Sequence, residues 1–259
     1  AKGGDEIRLA EGDYGNLALN SKSGFDITFD SPVTITSLNA DAAASFSGMT
    51  LSGVANLTFD NVVFDYTYNS ADSLAVAPFE VTGSRDITIQ NSLFDGDVAS
   101  NRNATDDGFG FGKGLLVSGS QDITLTGNEF TTWHRGAVFY ESTDIAVIDN
   151  DIHSIRSDGL DFAEVHRVLI EDNYIHDFAG SPSSGDHSDM IQIWTTGTDV
   201  ASTNVTIRNN VLDIGEGTWT ETIFMRNSLA ESGRTDDAAF YQDILIEGNM
   251  IRNAQIHGI

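Results

Sequence analysis

Residues 122–130 read DITLTGNEF, residues 144–152 read DIAVIDNDI and residues 167–175 read RVLIEDNYI. The same phrase returns as NLTFDNVVF at 56–64, DITIQNSLF at 86–94, NVTIRNNVL at 204–212 and DILIEGNMI at 243–251. Its apolar residues alternate with polar ones and many are β-branched, the texture of short half-buried strands rather than of a helix. The seventh positions are Val62, Ser92, Asn128, Asn150, Asn173, Asn210 and Asn249, spaced by 30, 36, 22, 23, 37 and 39 residues. The shortest intervals define a unit of 22–23 residues, and the longer ones carry insertions. Asparagine at five of these seven positions predicts a recurring turn, in which the amide tolerates a left-handed backbone and hydrogen-bonds its equivalent in the next unit.

A second phrase stands 15 residues ahead of these positions: SGMTLS from 47, APFEVT from 77, KGLLVS from 113, RGAVFY from 135 and DGLDFA from 158. DMIQIW at 189–194 and ETIFMR at 221–226 extend the series across longer returns. Each repeat therefore holds at least two short strands, and turns at fixed places with insertions that leave the register intact predict a β-solenoid.

On these repeats the chain resembles the right-handed parallel β-helix proteins, many of which are polysaccharide lyases, uronate epimerases or glycoside hydrolases. The resemblance runs from GGDEIRLAEGDYGNLAL at 3–19, which is similar to the opening coil of alginate lyases and chondroitinases of this fold, to QIHGI at 255–259. His257-Gly258-Ile259 falls where Lys113-Gly114-Leu115 and Arg135-Gly136-Ala137 fall, so one all-β domain over 1–259 is expected, cut within a coil at its C-terminal end. The resemblance implies an extracellular or periplasmic protein of bacterial type.

Composition narrows the partners. Against 39 Asp and Glu stand 13 Lys and Arg, a net charge of −26, which argues against nucleic acid and anionic membrane. The absence of cysteine excludes disulfides and thiol chemistry. No apolar run approaches the roughly 18 residues of a membrane span. A monomer acting on a polysaccharide is expected, without an organic cofactor.

Strand alternation gives the direction of the second phrase. Its third and fifth residues (Leu115/Val117, Ala137/Phe139, Leu160/Phe162, Ile191/Ile193, Ile223/Met225) are apolar and point inward. Its fourth and sixth residues then point outward: Leu116/Ser118, Val138/Tyr140, Asp161/Ala163, Gln192/Trp194 and Phe224/Arg226. Stacked about 4.8 Å apart, they make a surface of carboxylate, amide, aromatic and guanidinium groups suited to sugars. Trp133-His134-Arg135, Arg156-Ser157-Asp158, His187-Ser188-Asp189 and Trp219-Thr220-Glu221 crowd its leading edge. The insertions DVASNRNATDDGFGFG and AGSPSSGDH are expected to wall a cleft at that edge, with mobility suggested by their Gly and Ser content.

Each residue also has a plainer reading. Ser-Asp-Gly opens many turns, so Asp158 can be turn punctuation. Asp161 and Gln192 can be merely solvated, Trp194 covered by a loop and His187 a cap, while His153, His166 and His176 read as structural.

Lys113, Arg135, Arg156 and Arg226, four of the 13 basic residues, fall on or beside this face, a local charge reversal that favours an anionic sugar. The expected activity is lyase cleavage of a uronate-containing polysaccharide by β-elimination, with His187 as base and Arg135, Arg156 and Lys113 as the other catalytic candidates. His134, Tyr140, Gln192, Trp194 and Arg226 are the expected substrate contacts. Asp158, Asp161 and Asp189 are expected to hold Ca²⁺, a cation that prefers hard oxygen ligands. The alternatives are an inverting glycoside hydrolase using two of the same carboxylates, a uronate epimerase and a non-catalytic adhesin. DFAEVH at 161–166 departs from the Asp-Pro-His of the epimerases, and this face lacks the adjacent Asp pair and Gly-His-Gly of polygalacturonase-like hydrolases.

Overall fold

A computed structural model describes residues 1–20 and 27–254, so QIHGI at 255–259 lies outside the described residues. The described chain winds into a right-handed parallel β-helix of three sheets, holding nine, nine and eight strands. Within each sheet a strand pairs with its equivalents in the preceding and following coils. The coil in the middle of the molecule shows the pattern: Arg135–Tyr140, Thr143–Ile148 and Asp151–His153 belong to three different sheets. The nine-residue phrase is therefore two strands with a turn between them, and each coil carries three strands where two were the minimum expected.

The turn within the phrase is held by the asparagines. Asn128 N–H donates to Asn150 Oδ1 at 3.0 Å, Asn150 N–H to Asn173 Oδ1 at 3.0 Å and Asn173 N–H to Asn210 Oδ1 at 2.9 Å. Each Nδ2 donates in turn to the next Oδ1 and to backbone carbonyls, as Asn150 does to Leu125 and Ile148. The expected ladder is present, but the left-handed residue is its predecessor: Gly127, Asp149, Asp172, Asn209 and Gly248 have φ between 55° and 65°. The amides of Asn128, Asn150, Asn173 and Asn210 are thereby free to turn inward, where they are buried and hydrogen-bonded. A second ladder that the sequence did not suggest uses serine: Ser84, Ser120 and Ser142 Oγ accept the N–H of Val54, Ser84 and Ser120 at 3.1–3.2 Å.

Side chains inside the coils stack on their equivalents. Phe64, Phe94 and Phe130 form one column with ring centres 4.4 and 4.2 Å apart, and Phe139 lies 5.0 Å from Phe162. The predicted inward residues are buried, with Met225 half-buried near the last described coil. Burying each such side chain stabilises the fold by about 1.5–3 kcal/mol.

The second residue of the Lys113, Arg135 and Asp158 strands is glycine because the backbones leave no room. A Cβ at Gly136 would meet Gly159 O at 2.4 Å, and one at Gly159 would meet Met190 O at 2.6 Å. The turn reading of Ser157-Asp158-Gly159 is thus corrected: Asp158 begins the strand Asp158–Ala163.

Asn150→Ala removes the acceptor for a buried N–H and an amide that serves two further carbonyls, so a loss of about 2–4 kcal/mol is expected. Urea unfolding checks this; a loss below about 1 kcal/mol would show that the ladder is not what holds the turn.

Candidate functional site

The third sheet carries the site. Its register aligns Lys113 with Arg135 and Asp158, Val138 with Asp161, Gln192 and Phe224, and Tyr140 with Ala163, Trp194 and Arg226. Asp189 pairs with Glu221 in the same row of strand starts. Simple alternation placed only the fourth and sixth positions outward. In the structure the first joins them, because Arg135 crosses over the sheet to Asp161 and to within 5.8 Å of the Trp194 ring centre.

Arg135 organises the acids beneath it. Its Nη1 donates to Asp161 Oδ2 at 2.9 Å, and its Nη2 lies 3.1 Å from Asp158 Oδ2, a contact of charge without hydrogen-bond geometry. Asp161 is 0% exposed, and Asp158 and Asp189 are as deeply buried. Asp158 Oδ2, Asp161 Oδ1 and Asp189 Oδ1 have no hydrogen-bond partner. Burial, opposed by Arg135, pushes the Asp158 carboxyl up to about 6. Burial and then the charge of Asp158 raise Asp161 against the pull of Arg135, and burial raises Asp189 against its bonds to His187 and Gln192. The plainer reading of Asp161 as a solvated residue does not hold: it faces outward but lies buried under Arg135.

His187 stands over this cluster with 52% of its side chain exposed. Its Nδ1 lies 2.9 Å from Asp189 Oδ2, which accepts the Nδ1 proton and leaves Nε2 as the basic nitrogen, 3.5 Å from Glu221 Oε1. Partial burial lowers the imidazole pKa, but the Asp189 bond and the charges of Asp189, Glu221 and Asp158 outweigh it, leaving it above 6.5. Gln192 Nε2 also donates to Asp189 Oδ2. Arg135, His187, Gln192, Trp194, Thr196, Phe224 and Arg226 line a cleft of about 540 Å³.

Five of the residues singled out from sequence thus share one cleft: Arg135, His187, Gln192, Trp194 and Arg226. Arg226 also pairs with Glu231 at 3.1 Å. Tyr140 points outward but gives its hydroxyl proton to Gly197 O at 2.7 Å. Lys113 is half-buried beside the cleft, its pKa lowered by burial and then by Arg135.

Two assignments are corrected. Arg156 is 1% exposed and bonded on both sides, Nη1 to Asp106 Oδ1 at 2.8 Å and Nε to Asp186 Oδ2 at 2.9 Å, so it cannot reach a substrate. It pins the two insertions to the sheet and to each other, and Ser181 Oγ adds a bond to Thr105 O at 2.6 Å. Their Gly and Ser content had suggested loose loops. His134 is buried behind the same wall, its Nε2 3.8 Å from Asp186 Oδ1 and without a hydrogen bond. Glu221 and Phe224 were overlooked as site residues. The register of ETIFMR with DMIQIW was the available signal.

The cation expected at Asp158, Asp161 and Asp189 has three unpartnered oxygens in its favour and the Arg135 charge against it. Among the described residues, His187, Asp189 and Glu221 form the group whose donor atoms converge, within 4.8 Å of one another. That mixed nitrogen and oxygen set suits a transition-metal ion better than Ca²⁺.

Comparison with known proteins supports the architecture. Comparison with curated proteins gives no match. The surface adhesin PfbA of Streptococcus pneumoniae superposes with a TM-score of 0.62 at 13% identity, covering 98% of this chain and 74% of that one. A second PfbA structure gives 0.55 at 12% identity, covering 98% and 91%. The lacto-N-biosidase of Eubacterium ramulus gives 0.51 at 12% identity, covering 98% of this chain and 51% of the enzyme. At such identities the likeness is one of fold. The sequence model of the right handed beta helix region matches residues 113–259, more than half of the chain and the part that carries the cleft. The chain belongs to the right-handed β-helix family.

Proposed function

We propose that this protein is a secreted enzyme that cleaves an acidic, uronate-containing polysaccharide by β-elimination. One observation carries the reading: in a chain of net charge −26, the side chains lining the cleft include Arg135, Arg226 and His187 and, among the described residues, no carboxylate. A uronate carboxylate placed there meets Arg135 and Arg226, while Trp194 offers a ring face for sugar C–H groups. His187 Nε2 then takes the proton from the carbon beside the carboxylate. The electron pair left behind forms a carbon–carbon double bond as the bond to the glycosidic oxygen on the next carbon breaks. The leaving oxygen collects a proton from solvent. Arg135 offsets the charge that develops on the carboxylate during this step. Asp189 orients the imidazole and raises its basicity.

His187→Ala should lower turnover about 10²- to 10⁴-fold with melting unchanged. The base works when neutral and its pKa lies above 6.5, so kcat/KM should fall as pH drops through that raised value. Asp189→Asn should move this acid limb to lower pH. Incubation with uronate-containing and neutral polysaccharides, following ultraviolet absorbance of the unsaturated product together with reducing ends, tests the reaction itself. Reducing ends without unsaturated product would overturn elimination.

One observation favours hydrolysis as the second reading. A carboxyl at about 6, as on Asp158, is what a general acid requires near neutral pH. Its deep burial beneath Arg135 argues against direct contact with a glycosidic oxygen.

A cation at the aspartates belongs to the same proposal. Ca²⁺ would be held by Asp158, Asp161 and Asp189 and would add positive charge beneath the substrate carboxylate. The raised carboxyl pKa values mean that these groups favour the folded state when protonated, and that this contribution is lost as pH rises through them. Ca²⁺ should therefore raise Tm, and by more at about pH 8 than at about pH 5, with chelator reversing the effect. Identical melting with Ca²⁺ and with chelator at both pH values would overturn the Ca²⁺ site and leave Arg135, His187 and protons to offset the aspartates.

A further inference from the structure

A second cleft adjoins the first. Its volume is about 440 Å³, and Gly180, Ser181, Pro182, Ser188, Thr218 and Trp219 contribute to its lining. The segment Asp186-His187-Ser188 divides the two: His187 faces the Arg135 cleft, while Asp186 and Ser188 face this one. Trp219 is 72% exposed, the most exposed large apolar side chain among the described residues. It precedes Glu221, which pairs with Asp189, whereas Trp194 ends the Asp189 strand. The two indoles thus mark opposite ends of one strand row, about 20 Å apart along the sheet at 3.3 Å per residue, room for several consecutive sugar rings.

The chemistry of the two clefts differs. Among the residues lining the second there is no Lys or Arg, and its one charge is Asp186. Ser181 and Ser188 direct their hydroxyl protons to Thr105 O and Arg156 O, which leaves their oxygens as acceptors for sugar hydroxyls. A carboxylated ring here would meet no cation among the lining residues, because the Arg156 guanidinium that pairs with Asp186 is sealed behind it. An uncharged ring would stack on Trp219 and donate to the serines. The wall is held in place: Asp186 is bonded to buried Arg156, and Gly180 N–H donates to Thr218 Oγ1 at 2.7 Å.

We propose that the Trp219 cleft is a second carbohydrate subsite, selective for an uncharged sugar ring of the same chain whose charged ring lies at Arg135 and Arg226. The substrate class is then a mixed polysaccharide that contains neutral as well as uronate residues. This rests on the reading of the Arg135 cleft as an anionic-sugar site, and it is tested by binding without cleavage.

The test titrates the parent, Trp219→Ala and Trp194→Ala by isothermal titration calorimetry with three probes: oligogalacturonates, hyaluronan and chondroitin oligosaccharides with alternating uronate and N-acetylhexosamine, and neutral cello-, xylo- and chito-oligosaccharides. The expected result is that an alternating or neutral oligosaccharide binds the parent and loses about tenfold in affinity with Trp219→Ala, while oligogalacturonate affinity is unchanged. Melting identical to the parent would show that the variant is folded. The proposal is overturned if no alternating or neutral probe binds, if Trp219→Ala binds as the parent does, or if it weakens oligogalacturonate equally. Binding of neutral probes through Trp219 with no uronate binding anywhere would uphold this subsite and sink the reading of the Arg135 cleft.

Discussion

The structure depends on a backbone N–H that donates, coil after coil, to the side-chain amide of the neighbouring asparagine. A parallel sheet satisfies its own polar groups along the strands, but each corner leaves N–H and C=O groups pointing into the core, where an unmade bond costs about 1–3 kcal/mol. Asn128, Asn150, Asn173 and Asn210 meet that demand with side chains that both donate and accept. Because the same amide bonds its own equivalent above and below, the corner repeats at the strand spacing and every sheet keeps register. Interruptions must then occur elsewhere in the coil, which is where residues 97–112 and 179–187 are inserted.

Register is what makes a functional surface. A one-coil offset brings residues 22 to 39 apart in sequence to neighbouring positions, so Arg135, Asp161 and Gln192 meet although no local motif joins them. The rigidity of the sheet also allows an unusual electrostatic arrangement. Two buried carboxylates, Asp158 and Asp161, share the Arg135 guanidinium, and a third, Asp189, lies beside them against His187 and Gln192, an arrangement that an isolated helix or loop would relieve by moving. Here the backbone holds them, and burial raises the pKa of all three carboxyls. The result is a surface whose exposed layer is basic over a buried acidic layer.

The insertions repeat this logic in a second place. Arg156, with a carboxylate on each side, joins Asp106 and Asp186, 80 positions apart in sequence, from two different loops. Removing Arg156 would take the shared counter-charge from both Asp106 and Asp186, so this one guanidinium keeps the wall in one position. The wall separates a cleft rich in cations from one lined by hydroxyls and an indole.

Most of the fold was legible in the sequence, because period and alternation follow from backbone geometry alone. The 22–23-residue unit, the asparagine ladder, the inward row from Leu115 to Ile223 and the outward row from Leu116 to Arg226 all rest on strand spacing and side-chain period. Five cleft residues were legible for the same reason. Tertiary structure alone decided where charge is covered. Arg156 and Arg135 look alike in sequence, one two residues ahead of a strand phrase and the other at the start of one, yet Arg156 is sealed between two loops and Arg135 lines the cleft. Asp158 resembles a turn residue until the carbonyls stacked behind Gly136 and Gly159 show that the glycine marks close backbone approach. Period determines direction, but burial depends on which distant loop lies above a side chain, and that is set by contacts between segments far apart in the chain.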